Sequence, residues 1–226
     1  YFILFNLVIY FITILLFIIG LFINSNTSNK KNNISGVSVI ICVKNGESSI
    51  YNLITDLKKQ IFENDCEFII VDDMSIDNTK NIILENISGL SNFKYVTSDL
   101  GDNNLSYKKR ALDAGIKVSK YEYLLFTDVD CRLPKTWINS MMENYENNID
   151  FIIGCSIITN PKTLVSYFQM IDFSMLMISA YSTSKLGLTL ASTGQNQSYK
   201  KQLFTSIGGF KKIKKLLQGD DSIFLN

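Results

Sequence analysis

The chain contains no histidine among its 226 residues, and it has only two prolines and four cysteines. The lack of histidine argues against a His-dependent catalytic triad and against a structural zinc site. The cysteines are far apart and form no Cys-x-x-Cys pair, so we expect free, buried thiols. The formal net charge is +1, whereas nucleic-acid-binding proteins usually have a large excess of basic residues. We therefore expect no nucleic-acid partner.

The first 23 residues also lack Lys, Arg, Asp and Glu. An apolar run of this length can cross the hydrocarbon core of a membrane, which needs about 20 helical residues. A cleaved signal peptide is the alternative, but its apolar region is shorter, and no clear cleavage site follows. We therefore predict a transmembrane helix over residues 1–23 and a polar, Asn- and Ser-rich linker over 24–36.

Lys30 and Lys31 follow the apolar run, and within residues 1–226 no basic residue lies before it. The positive-inside tendency then predicts that residues 24–226 lie in the cytoplasm. Residue 1 is Tyr rather than an initiator Met, so we expect the natural chain to start earlier. We predict that residues 37–226 form one domain, and we expect this domain to be truncated at its C-terminal end.

Strand-like and helix-like segments alternate after the linker. Residues 37–43 and 67–71 are β-branched runs typical of strands buried on both faces. Further strands are predicted over 93–96, 121–127 and 151–155, and helices over 48–60, from Asp77 or Asn78 to Leu84, and over 106–119. This alternation predicts an α/β domain with a mostly parallel central sheet.

Residues 163–183 predict a helix that is apolar on most faces. Gln169 and Asp172 interrupt it, which disfavours a second membrane span. A core helix and a membrane-surface helix are the two remaining interpretations.

Two carboxylates follow the strand predicted over 121–127, in the order Asp128-Val129-Asp130. Open α/β sheets bind ligands at the carboxyl ends of their strands. Mg²⁺ is commonly held by one or two carboxylates together with substrate phosphates. The pair therefore predicts a site for Mg²⁺ or Mn²⁺ and a nucleotide, with a loop of two solvated aspartates as the alternative.

Four other groups of polar residues lie at the ends of predicted elements. Asp72 and Asp73 follow a strand, where a carboxylate can bind a base N–H or a ribose hydroxyl, although this sequence also favours a turn. Lys108 and Lys109 open a helix, where cations oppose the helix dipole unless an anion faces them. The remaining two groups contain Gly194 and Asn196, and Asp220 and Asp221. A carboxylate in the last group is suited to act as a general base.

The order of these motifs resembles the family-2 inverting glycosyltransferases of the GT-A fold, and in particular their membrane-anchored bacterial members. The motifs are Val-Ser-Val-Ile-Ile (37–41), Val-Asp-Asp-x-Ser-x-Asp-x-Thr (71–79), Lys-x-x-Ala-Leu-x-x-Gly (108–115), Asp-x-Asp (128–130), Gly-x-Asn (194–196) and Gly-Asp-Asp (219–221). The resemblance implies a UDP- or GDP-sugar donor, a divalent metal (Mg²⁺ or Mn²⁺) and a lipid-linked or saccharide acceptor. It also implies a place at the bacterial plasma membrane.

The resemblance further implies a role for each matched residue. It assigns base and ribose contacts to Asp72 and Asp73, and a place near the donor to Lys108. It assigns the metal to Asp128 and Asp130, with Asp130 as the direct ligand. It assigns the general base to Asp221 beside Asp220, and the acceptor side to Gly194 and Asn196. The positive charge at the start of the helix further predicts that Lys108 or Lys109 faces the diphosphate. Two departures from the family pattern affect the donor side. Lys44 keeps a positive charge where the family often has Pro-x-Arg-Asn-Glu, but that Glu is missing, and Tyr107 replaces a Gly that commonly precedes the lysine.

Two other functions are compatible with these motifs. A nucleotidyltransferase on a related sheet would release pyrophosphate from a nucleoside triphosphate. A membrane-bound scaffold would keep the fold without turnover.

Overall fold

The computed structural model describes residues 1–23, 34–145, 149–188, 192–214 and 216. Its strands are β1 (Gly36–Val43), β2 (Asp65–Asp72), β3 (Phe93–Thr97), β4 (Tyr123–Asp128), β5 (Phe151–Ile153) and β6 (Gln197–Lys200). Its α-helices are α1 (Phe2–Phe22), α2 (Ile50–Lys58), α3 (Thr79–Ile87), α4 (Lys108–Val118), α5 (Trp137–Met142), α6 (Leu164–Lys185) and α7 (Lys201–Ser206). Contacts along the chain divide it into a smaller unit that contains α1 and α6 and a larger unit that contains the strands and the remaining helices.

The larger unit is built on one sheet, in which the described strands have the order β3-β2-β1-β4-β6-β5. Strands β1 to β4 are parallel to one another, while β6 is antiparallel to both β4 and β5. The β-branched runs at β1 and β2 are buried along nearly their whole length, as expected for strands covered on both faces. The predicted α/β fold with a mostly parallel sheet is confirmed.

Each face of the sheet is covered by helices. On one face, Ile50, Leu53 and Ile54 of α2 pack with Trp137 and Ile138 of α5. On the other face, α4 packs so closely that a Cβ added at Gly115 would lie 2.5 Å from Cγ2 of Ile40. Only glycine fits at this point, and the C-terminal half of α4 is thereby held against the middle of β1.

Three elements of the larger unit, α5, α7 and β6, were not predicted. The residues of β6 are Gln-Ser-Tyr-Lys, which lack the apolar alternation that marks a strand. Ser198 is nevertheless fully buried, because its Oγ donates to the Leu124 carbonyl oxygen at 2.7 Å and lies 2.7 Å from Tyr145 Oη. Long-range hydrogen bonds, rather than local hydrophobic pattern, stabilise this strand.

The smaller unit contains the two helices that are long and apolar enough to cross a membrane, judged by length and composition over the described residues. α1 is the helix expected over residues 1–23, and α6 is the helix expected over 163–183. α6 is mostly exposed, so the interpretation as a core helix is wrong. Residues 24–33 of the predicted linker lie outside the described residues, and Gly36 already belongs to β1.

Candidate active site

The carboxyl ends of the parallel strands bring the predicted acidic residues to one edge of the sheet. β1 lies between β2 and β4, and the strand order reverses there, which is the usual place for a ligand in an open α/β sheet. Val43 pairs with Asp72 on one side, and Cys42 pairs with Asp128 on the other. Since neighbouring strands are about 4.8 Å apart, Asp72 and Asp128 end strands that are about 10 Å apart.

Lys108 and Asp128 meet at this edge. Lys108 is the first residue of α4 and Asp128 is the last residue of β4, and the Lys108 ammonium lies 2.5 Å from Oδ1 of Asp128. Both side chains are partly exposed, so an incoming ligand can reach them. Asp130 is exposed in the turn that follows β4. The structure therefore brings together Lys108 and Asp128, which are expected at the diphosphate and at the metal.

Asp72 and Asp73 differ in accessibility. Asp72 is only 4% exposed, and its carboxylate accepts hydrogen bonds from the Ser75 N–H at 2.9 Å and from the Tyr95 hydroxyl at 2.8 Å. Burial, together with the Asp72 carboxylate, raises the pKa of Tyr95, so this hydroxyl stays protonated and donates. Asp73 is half-buried and offers the more accessible carboxylate.

The loops after β1 and β2 are joined by reciprocal hydrogen bonds. The Asn45 N–H donates to Oγ of Ser75 at 2.9 Å, and the Asn45 side-chain oxygen accepts from the Ile76 N–H at 2.9 Å. Glu47 accepts from the Asn78 N–H at 2.9 Å. Sequence reasoning missed Glu47, although it lies only one residue beyond the position where the resemblance led us to note a missing Glu. Lys44 itself is exposed beside these bonds.

Lys109 does not share the environment of Lys108. It is 1% exposed, and its ammonium donates a hydrogen bond to the Leu216 carbonyl oxygen. Successive residues of an α-helix point about 100° apart, so two adjacent lysines face different surroundings. Of these two lysines, Lys108 is therefore the one placed to meet a donor at the strand ends.

Asn196 lies directly before β6, where it joins neighbouring elements. Its side-chain oxygen accepts from Nε1 of Trp137 at 3.0 Å, and its carbonyl oxygen accepts from the Gly154 N–H at 2.8 Å. A Cβ added at Gly154 would lie 2.3 Å from Cγ of Asn196. Gly194 lies in the turn just before. Asp221, which is the predicted base, and its neighbour Asp220 lie outside the described residues.

The donor set of the edge is compatible with a divalent metal. Among the described residues there is no cluster of three or more His, Cys, Asp or Glu that would enclose an ion with protein ligands alone. Mg²⁺ sites that also use substrate phosphates need only one or two carboxylates. Asp128 and Asp130 are both accessible and supply that number.

The family follows from a comparison of the whole sequence. Residues 38–209 match the model of glycosyl transferase family 2, which is more than half of the chain. The chain belongs to glycosyl transferase family 2. The predicted enzyme class, a glycosyltransferase, is thus confirmed at the level of the family.

Two bacterial proteins of known name are similar to this chain in sequence. The chain is 34% identical over 122 residues to the poly(ribitol-phosphate) β-N-acetylglucosaminyltransferase TarP of Staphylococcus aureus, which covers 52% of this chain and 36% of that protein. It is 25% identical over 178 residues to the poly-β-1,6-N-acetyl-D-glucosamine synthase of Staphylococcus epidermidis, with 77% of this chain and 42% of that protein covered. The chain therefore spans less than half the length of these relatives.

Solved structures confirm the GT-A fold. The mannosyltransferase PcManGT of Pyrobaculum calidifontis, solved with GDP-Man and Mn²⁺, superposes with a TM-score of 0.71 at 18% identity and covers 94% of this chain and 58% of that one. Glucosyl-3-phosphoglycerate synthase of Mycobacterium tuberculosis, solved with Mn²⁺, UDP and phosphoglyceric acid, gives a TM-score of 0.53 at 18% identity, covering 76% and 58%. At these identities the likeness concerns the fold.

Proposed function

We propose that residues 37–226 form the donor-binding and catalytic domain of a metal-dependent, inverting glycosyltransferase. The domain moves a sugar from a UDP- or GDP-sugar to a lipid-linked or polysaccharide acceptor. The observation that carries this proposal is the contact of Lys108 with Asp128 at the switch point of the sheet. Only β1 lies between the strand that ends at Asp128 and the strand that ends at Asp72. A cation and carboxylates gathered there match the charges of a diphosphate and its metal.

The comparisons support the choice of ligands. The two solved neighbours contain Mn²⁺ with GDP-Man in one case and with UDP in the other. The two bacterial relatives are named for N-acetylglucosaminyl transfer or for a polymer of N-acetylglucosamine. Nucleotide-linked N-acetylhexosamines are therefore the first donors to test.

The donor side of the site is provided by the strand ends. Asp73 binds the ribose hydroxyls, and Asp72, fixed by Tyr95 and Ser75, orders the loop beneath the base. Asp128 and Asp130 hold the divalent cation, which stabilises the negative charge on the leaving diphosphate when it is bound. Lys108 releases Asp128 as the donor enters and donates a hydrogen bond to a diphosphate oxygen.

The transfer itself is a single displacement. The acceptor hydroxyl oxygen bonds to the anomeric carbon while the bond from that carbon to the diphosphate oxygen breaks. Asp221 accepts the proton of the hydroxyl, assisted by Asp220, and the configuration at the anomeric carbon inverts. Gly194 and Asn196 border the acceptor side, where the bond from Trp137 Nε1 fixes the orientation of the Asn196 amide.

Residues 1–23 anchor this domain in the bacterial plasma membrane, with residues 24–36 as the linker and the domain in the cytoplasm. The support is α1, which is charge-free and exposed along nearly its whole length. Burying such a surface in lipid is favourable, whereas leaving it in water is not.

The test is release of a nucleoside diphosphate from a panel of UDP- and GDP-sugars by the full chain, with and without Mn²⁺ or Mg²⁺. We expect metal-dependent diphosphate release that is lost in Asp130→Asn and kept in Asp150→Asn, an acid that precedes β5 at the opposite edge. Pyrophosphate release from a nucleoside triphosphate would indicate a nucleotidyltransferase instead. A scaffold would release neither, and its cellular role would survive Asp130→Asn and Asp221→Asn.

A further inference from the structure

α6 has an exposed apolar stripe on the side opposite its packed face. The packed face repeats every three or four residues and contains Met170, Phe173, Met177 and Ala180, all half-buried or buried. The stripe also has helical spacing and consists of Leu164, Tyr167, Phe168, Ile171, Met175 and Ile178, each about half exposed or more. Contiguous apolar surface of this kind marks a site of interaction with a protein or a membrane.

The other helix of this unit covers only the packed side of α6, and only near one end of α1. Gly20 is the buried residue of α1, and Ile14 and Phe17 are half-buried, while residues 1–13 are exposed. A Cβ added at Gly20 would lie 2.3 Å from Oγ of Ser182, and that hydroxyl donates to the Phe17 carbonyl oxygen at 2.6 Å. α6 therefore meets the C-terminal half of α1 and leaves residues 1–13 of that helix exposed.

The order of elements restricts how α6 can contact a membrane. It lies in the sequence between β5 and β6, which pair with each other in one sheet. If α6 crossed the bilayer, either residues 154–163 or residues 186–196 would have to return through the hydrocarbon core. Each segment is shorter than the about 20 residues that a spanning helix needs. Backbone that is exposed to lipid outside such a helix leaves its polar groups unsatisfied, and the first segment also carries Lys162. Both ends of α6 therefore lie on the same side.

We infer that α6 is a non-spanning membrane helix. It lies in the plane of the cytoplasmic leaflet, with the stripe from Leu164 to Ile178 in the acyl region and its packed face against the cytoplasmic end of α1. This inference rests on the proposed membrane anchor. Lys162 and Lys185 flank the helix and reach anionic headgroups, while Gln169, Asp172 and Ser179 lie on one flank between the packed face and the stripe.

The bilayer fits this stripe better than a second protein does, because α1 joins α6 in the same unit. α1 has no charged residue, is exposed to its N-terminal end, and has a mean hydropathy of 2.9 over its most apolar window. If lipid covers α1, its surface lies at the level where α6 packs on α1. The same lipid then also covers the stripe of α6, and no further partner is needed. A protein partner would have to cover α6 and leave the adjoining α1 to lipid.

The test places a tryptophan at chosen positions of the full chain in lipid vesicles that contain anionic lipid. The positions are Phe168→Trp and Ile178→Trp on the stripe, Phe5→Trp and Phe11→Trp on α1, and Ile61→Trp as the control on the exposed surface of the larger unit. Lipids brominated near the headgroup or near the chain end then quench each emission according to depth. Trp137, buried and common to all variants, provides the constant background.

We expect bromolipids to quench most of the emission added by Phe168→Trp and Ile178→Trp. The quenching should be strongest with lipids brominated near the headgroup, and its depth should be equal at the two positions. A spanning α6 would instead separate them by about 15 Å of depth, because an α-helix rises about 1.5 Å per residue. Unequal depths at the two stripe positions would overturn the inference. Stripe tryptophans that no bromolipid quenches, while those on α1 are quenched, would also overturn it. In both cases the proposed membrane anchor would still stand. If α1 is unquenched as well, the membrane anchor of the proposed function fails with it.

Discussion

Arg132 and Asp56 form a two-point ion pair directly after the Asp128-Val129-Asp130 turn. Nε of Arg132 lies 2.6 Å from Oδ2 of Asp56 and its second guanidinium nitrogen lies 3.0 Å from Oδ1, while the Leu133 N–H donates to Oδ2 at 3.1 Å. One turn later on the same side, Gln60 donates to the Pro134 carbonyl oxygen at 2.8 Å and accepts from the Ile138 N–H at 3.2 Å. α2 and its C-terminal end thus hold the segment that follows the carboxylates proposed to bind metal.

Asp56→Asn should destabilise the larger unit and weaken metal binding together. The hydrogen bond from Arg132 holds the pKa of Asp56 below its usual value against the effect of burial, so the carboxylate is charged at neutral pH. Its replacement by an amide loses charge-assisted hydrogen bonds worth about 1–3 kcal/mol in all. We expect a lower urea midpoint and a higher Mn²⁺ concentration for half-maximal binding of a nucleoside diphosphate.

Asp150→Asn is the matched control for this change. Asp150 also pairs with a cation, Lys200, but it is 55% exposed. Exposed ion pairs contribute only about 0–1 kcal/mol. An Asp56→Asn variant that unfolds like Asp150→Asn and binds Mn²⁺ like the parent would show that α2 does not position the turn.

Glu67→Gln should lower the free energy of unfolding of the larger unit at neutral pH, and the loss should be smaller in acid. Glu67 is buried at the amino end of β2 and accepts from Ser38 Oγ at 2.6 Å, from the Lys94 ammonium at 2.7 Å and from the Lys120 N–H at 2.5 Å. Burial alone would raise the pKa of Glu67, but these donors outweigh it, and the pKa lies below its usual value. We expect a loss of about 1–3 kcal/mol at pH 7.

The direction of the pH dependence follows from that lowered pKa. The stabilisation from a carboxylate of this kind is complete above its unfolded pKa, about 4.3 for Glu, and is lost as the pH falls through the folded value. The difference in free energy of unfolding between the parent and Glu67→Gln should be constant from pH 7 to about 5 and should shrink below about pH 4.3. Urea unfolding across this range measures it, with Glu63→Gln, an exposed acid, as the control. A difference that grows in acid would contradict the prediction.

The sequence predicted those parts of the fold and site that depend on local pattern. The β-branched runs at β1 and β2 and the apolar run at β4 indicated buried parallel strands, and Asp72 and Asp128 lie at their ends as expected. The polar strand β6 was missed because hydrogen bonds from distant residues, rather than apolar alternation, stabilise it. The 3.6-residue period of a helix does predict that Lys108 and Lys109 face apart, and that signal was not used.

The residues that support the site carry no comparable local signal. Asp56 and Arg132 are separated by 76 residues, and Asp72 and Tyr95 by 23. An acid on the buried side of an amphipathic helix, such as Asp56 in α2, does indicate that a partner exists, because a buried charge is costly when unpaired. The identity of the partner depends on the tertiary structure.

At Tyr107, glycine should be more stable than alanine. Tyr107 has φ 59° and ψ −151° just before α4, a conformation that is adopted almost only by glycine and costs other residues about 1–3 kcal/mol. Tyr107→Gly should therefore exceed Tyr107→Ala in free energy of unfolding by about that amount. At Glu85, an exposed position inside α3, the order should reverse, with glycine about 1 kcal/mol less stable than alanine. If urea unfolding showed alanine to be more stable than glycine at both positions, Tyr107 would be unstrained.

Lys108→Met should weaken binding of a nucleoside diphosphate, whereas Lys109→Met should not. Lys108 contacts Asp128 at the accessible strand ends, and the Lys109 ammonium is buried against the Leu216 carbonyl oxygen. Loss of one charge-assisted hydrogen bond to a diphosphate of about 1.4 kcal/mol would raise the Kd about tenfold. Calorimetric titration of each variant with UDP and with GDP, in the presence of Mn²⁺, measures this.

The two substitutions are matched, because each removes one positive charge from adjacent positions and inserts the same side chain. A general effect of net charge on an anionic ligand would therefore weaken binding to both variants alike. Only direct contact at the strand ends distinguishes the two lysines. Equal losses would remove Lys108 from the donor site, and a larger loss at Lys109→Met would require α4 to present its other face to the donor.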